Sequence, residues 1–60
     1  MKALRINQVI EKTGLSRSSI YALCKKGEFP KQAHLGRTIV GWLEEEVDKW
    51  LNDRFARRPQ

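Results

Sequence analysis

Arg17, Ser18, Tyr21 and Lys25 fall at i, i+1, i+4 and i+8, a spacing that sets them on one side of a helix. Their chemistry is that of hydrogen-bond donors. A guanidinium can make two parallel bonds to guanine O6 and N7, worth about 1–3 kcal/mol of discrimination between bases. Serine and tyrosine hydroxyls can serve base edges or phosphates, and Ser16, at the helix start, can help receive a phosphate there. The opposite side is Ile20, Leu23 and Cys24, apolar and suited to a core. The competing account is an ordinary solvated helix face. Against it, no acidic residue occurs between Lys12 and Gly27, whereas wet helices usually mix signs to gain i,i+4 pairs.

The other residue types capable of chemistry read as structural. Glu44, Glu45 and Glu46 are consecutive, so on a helix they project in different directions, and no nucleophile accompanies them. They suit the positive end of a helix dipole. His34 has no second histidine or cysteine pair with which to hold a metal, and reads as a hairpin surface residue near phosphate. Cys24, the one cysteine, excludes a disulfide framework and reads as a small core residue. Trp42 and Trp50 could stack on bases, but their places favour the core. No catalytic constellation appears, and neither an enzyme nor a cofactor is expected.

The elements that must position the donor face follow from stop and start signals. Ile6, Val9 and Ile10 recur at helical spacing, and Gly14 is placed to end that helix in the left-handed conformation. Ser16 is a good N-cap for a second helix, "RSSIYALCKK", which Gly27 and then Pro30 terminate. Two short helices separated by "GLS" are the signature of a helix-turn-helix. The second helix should pack Ile20, Leu23 and Cys24, joined by Leu15, on Val9 and Ile10 and on Trp50 and Leu51. Upstream, Ala3 to Arg5 reads as short and extended.

Beyond Phe29, "KQAHLG" and "RTIVGW" predict two short strands around a turn at Gly36 and Arg37, with β-branched Thr38, Ile39 and Val40 in the second. This is a small wing, entered by Lys31 and tipped by Arg37, of the kind that touches the sugar-phosphate backbone or minor groove. A last helix over "LEEEVDKWLNDRFARR" carries an apolar stripe of Leu43, Val47, Trp50, Leu51 and Phe55, an i,i+4 pair of Glu45 with Lys49, and Arg54, Arg57 and Arg58 at its negative end.

Charge agrees with this division. The 60 residues carry a net +5. Residues 1–43 hold eight basic and two acidic side chains, and residues 44–60 four and five. A basic front is the footprint of a nucleic-acid binder. Sixty residues suit one domain with one small core, expected over 1–56 with a frayed basic tail at 57–60. No apolar stretch approaches the ~20 residues of a membrane span, and a reducing cytoplasm suits the cysteine usage.

The ordered set "TGLSRSSIY", "GEFPK", Leu35 to Arg37, Gly41 with Trp42, and "EEEVDKWL" resembles the AlpA family of prophage regulatory proteins, relatives of the excisionase and MerR-type winged helix-turn-helix group. The likeness covers about residues 4 to 51. It implies a mostly α-helical fold of three helices and a two-stranded wing, and a prophage-borne regulator of transcription, for example of an integrase gene, that binds specific double-stranded DNA. It places the recognition role on Arg17, Ser18, Ser19 and Tyr21, and the wing role on Lys31 and Arg37. With Ser16 and Lys25 on the helix, and Lys26 and Thr38 on the backbone side, these form the expected interface. Cys24, Lys25 and Lys26 depart from the family's less basic helix end. A recombination directionality factor that bends attachment-site DNA is the alternative, as is a small module docking on a regulator or integrase. Integrase, RNA polymerase and further copies of the chain on DNA are candidate partners, and the site of action would be the cytoplasm, at the nucleoid when bound.

Overall fold

Two glycines with positive φ, Gly14 at 74° and Gly27 at 76°, end the first two helices, as only a residue without a side chain does cheaply. In the computed structural model, which describes residues 2–59, α1 spans Ile6–Thr13 and α2 spans Arg17–Lys26. The Gly14 N–H returns to the Ile10 carbonyl at 2.8 Å, and the Glu28 N–H to that of Leu23 at 2.9 Å. At the start of α1, Gln8 Oε1 accepts the Arg5 backbone N–H at 2.8 Å, one half of a capping box. Thr13 braces the turn between the helices. Its hydroxyl donates to the Val9 carbonyl at 2.8 Å and accepts from the Leu15 N–H at 3.2 Å.

The strands are β1 (Ala3–Leu4), β2 (Ala33–His34) and β3 (Val40–Leu43), antiparallel in the order β1-β3-β2. The expected two-stranded wing is present as β2 with β3, and β1 on the other edge of β3 makes the sheet three-stranded. Leu4 pairs with Trp42 and is buried, and the Lys2 carbonyl accepts the Glu44 N–H at 2.9 Å. Burial of Leu4 is what draws this short segment into the ladder. The wing strands are also shorter than their β-branched pattern predicts. Ala33 pairs with Gly41 and His34 with Val40, so 35–39 form a loop closed by the Leu35 N–H on the Ile39 carbonyl at 2.8 Å. Thr38 and Ile39 lie outside the ladder.

Helix α3 spans Glu44–Ala56. Its Val47 joins Leu4, Val9, Ile20, Phe29 and Trp42 in the core, flanked by Ile6, Ile10, Leu15, Leu23, Cys24, Trp50 and Leu51. Each tryptophan is tied to the segment after α2. Trp42 Nε1 donates to the Pro30 carbonyl at 3.0 Å and Trp50 Nε1 to that of Glu28 at 2.7 Å. Phe29 stands edge-on to Trp50, with ring centroids 4.8 Å apart. Neither indole is a free stacking platform, although Trp50 is only half-buried and carries Arg54 on its ring at 4.8 Å.

Three expectations for α3 fail. Leu43, expected in the helical stripe, instead ends β3 and stands before the helix with an extended backbone. Phe55 leaves the stripe and is 61% exposed, with the Arg58 guanidinium 5.4 Å from its ring, because the helix outlasts the core. Glu45 and Lys49 close no ion pair. Lys12 of α1 instead bridges Glu44 at 3.3 Å and Asp48 at 2.8 Å. The helix ends at Ala56, and Gln60 of the expected tail lies outside the described residues. Three helices with a small sheet make a mostly α-helical, winged helix-turn-helix fold.

Candidate nucleic-acid interface

Ser16 sets the start of α2. Its backbone is extended, and its Oγ accepts the Ser19 N–H at 3.1 Å while donating to Ser19 Oγ at 2.9 Å. The cap thus occupies both hydroxyls, and Ser18 is the serine of this turn whose side chain makes no bond among the described residues. Arg17 and Ser18 open the helix, followed one turn later by Tyr21 and two turns later by Lys25, all exposed. Ile20 on the inner side is completely buried. The division into an apolar and a donor face is therefore real.

Tyr21 is anchored on one side only. Its ring lies 6.3 Å from that of buried Trp42, tilted by 53°, while 39% of the residue stays accessible. Core packing steadies the ring on one side and leaves the other outward. Cys24 approaches the Pro30 carbonyl at 4.0 Å, and burial pushes its thiol above the ordinary range, which favours the protonated form.

Arg17 is held by a residue that sequence reasoning missed. Its Nη2 donates to Asn7 Oδ1 of α1 at 3.2 Å. No periodicity signals this contact, since it depends on how α1 and α2 cross.

The basic side chains divide by partner. Lys12 belongs to the inter-helix bridge, where hydrogen bonds to Asp48 first and Glu44 second hold its ammonium above the usual lysine range. Lys25 and Lys26 occupy the last turn of α2, where cations complement the helix dipole. Lys31 is exposed ahead of β2, and exposed Arg37 and Thr38 sit in the loop 35–39. The expected residues therefore form two sets, one on α2 and one on the hairpin. Among the described residues no group of three or more His, Cys, Asp or Glu could hold a metal, and no helix is long and apolar enough to cross a membrane.

A family profile described as "Prophage CP4-57 regulatory protein (AlpA)" matches residues 2–55. The chain is 51% identical over 55 residues to the uncharacterized protein ORF88 of Enterobacteria phage P4, covering 92% of this chain and 62% of that protein. It is 40% identical over 60 aligned positions to the DNA-binding transcriptional activator AlpA of Escherichia coli (strain K12), covering 90% and 86% respectively. The chain thus spans less than two thirds of the length of the phage relative.

Proposed function

Because this chain belongs to the AlpA family of prophage regulatory proteins, we propose that it binds specific double-stranded DNA and regulates transcription; the name of its E. coli relative calls that protein a DNA-binding transcriptional activator. The observation that carries the reading is the outer face of α2: exposed, capped at its start, and free of acidic residues from Lys12 to Gly27. In this reading α2 enters the major groove, with Arg17 and Ser18 towards base edges and Tyr21 and Lys25 following the groove wall. Ser16 and Ser19 hold the helix N-terminus towards a phosphate. Lys26, Lys31, Arg37 and Thr38 contact the backbone, which fixes register without reading sequence. Residues up to 56 form the binding unit, which acts in the cytoplasm and has no catalytic step.

Selection of genomic fragments by the purified protein, followed by duplex titration, tests the proposal. Arg17→Ala should weaken the selected site by about 1–3 kcal/mol and leave random duplex nearly unchanged. Equal affinity of the wild type for every duplex would end it. A footprint beside an attachment site, with the DNA bent, would reassign the chain to a recombination directionality role.

A further inference from the structure

We infer that Asn7 is a positioning residue that sets the guanidinium of Arg17 for the DNA, an inference that rests on the proposed reading of α2. Asn7 is the second residue of α1 and Arg17 the first of α2. Their side chains meet across the turn, Nη2 to Oδ1 at 3.2 Å, and both residues are exposed. A guanidinium has donors only, so the amide must present its oxygen. One N–H of five is spent, and the rest of the fork stays open to a base or phosphate.

The type of acceptor matters. An arginine on a helix surface samples many rotamers, and freezing them on binding costs affinity. A partner that narrows those rotamers beforehand lowers that cost. A carboxylate would do so too, but it would also neutralise the charge that DNA binding needs. The same α1 shows the contrast, since its Lys12 is bridged to Glu44 and Asp48. Asn7 holds Arg17 and leaves its charge whole. In addition, no acidic side chain from Lys12 to Gly27 competes for the guanidinium.

The experiment is a double-mutant cycle on the selected duplex and on random duplex, with the Arg17 Nε–Hε order parameter measured by NMR in the free protein. Asn7→Ala should lower that order parameter, weaken the selected duplex about three- to tenfold, as loss of one hydrogen bond of this kind does, and change random duplex less than twofold. Adding it to Arg17→Ala should cost nothing more. Asn7→Asp keeps the acceptor but adds a negative charge. It should weaken both duplexes by a similar factor and preserve their ratio. Additive losses in the cycle, or an unchanged order parameter, would overturn the role of Asn7 alone. An Arg17→Ala variant that binds the selected duplex like wild type would overturn the reading of α2, and this inference with it.

Discussion

Leu35 folds back from the wing loop over Gly41, so closely that a Cβ at position 41 would stand 2.6 Å from Leu35 Cδ1 and 2.9 Å from the Leu4 carbonyl oxygen. The side chain can move, but the carbonyl belongs to β1, paired to β3 through Leu4 and Trp42. Gly41→Ala therefore forces either the wing loop off the sheet or the two strands apart. Overpacking of this kind costs about 1–3 kcal/mol, to be read as a lower midpoint in urea or thermal unfolding. Adding Leu35→Ala should restore only part of the loss, because the backbone clash remains. Full recovery would mean that the loop alone bears the strain.

The bridge from Lys12 to Asp48 and Glu44 links the first and last helices and gives a pH prediction with a defined sign. Both carboxylates raise the lysine's pKa in the folded state. Stability from this source is therefore fully present below the unfolded lysine pKa and is lost as pH rises through the higher folded value. Lys12→Met should be less stable than wild type at neutral pH and low salt. The gap should narrow as salt screens the pair and close in strongly alkaline solution. Paired unfolding curves across pH and ionic strength measure it, and a gap that survives both treatments would assign the loss to packing of the lysine stem.

Features determined within a few residues were legible in the sequence, and so was the apolar set that α1, α2 and α3 bring together, whereas the particular pairings between distant residues were not. Gly14, Ser16 and Gly27 act on their own turns, so the two helices and the short link between them could be read directly. Ala3 and Leu4 could be read as extended, but not as a third strand, because they join the sheet only by meeting Trp42 and Leu43. Thr38 and Ile39 have strand-forming side chains, yet the pairing of His34 with Val40 leaves them in the loop. Phe55 keeps the helical period after the core has ended. Among charges, local spacing pointed to Glu45 with Lys49, while the fold gave Glu44 and Asp48 a partner from another helix. At the candidate site the donor face of α2 was readable from its period. The bond from Arg17 to Asn7 was not, for the same reason as the Lys12 bridge.

Ser16 joins a structural task to the proposed interface. Its side chain caps α2 through the Ser19 N–H, directly before Arg17 and Ser18, the residues proposed to read bases. Ser16→Ala should destabilise the protein by about 1 kcal/mol, and Ser16→Gly by only a few tenths. Faster hydrogen exchange at the Ser19 amide should accompany the alanine change, since that donor loses its acceptor. An alanine variant as stable as wild type would mean that the capping bond carries no stability here.

The salt dependence of duplex binding should separate the basic residues by whether they already have partners. A lysine or arginine that neutralises a phosphate releases a counterion, so its removal flattens the slope of log affinity against log salt by about one. Lys31 and Arg37 are exposed, and neither has an ion-pair partner among the described residues. Alanine at either position should weaken specific and random duplex alike and reduce the slope by nearly that amount. Lys12 counts equally in the net charge, but its ammonium already sits between two carboxylates. Alanine there should leave the slope almost unchanged, any weakening coming through lower stability. Titrations of the three variants at several salt concentrations would decide the matter. A slope that falls equally for all three would mean that binding responds to overall charge, and that the hairpin makes no defined backbone contact.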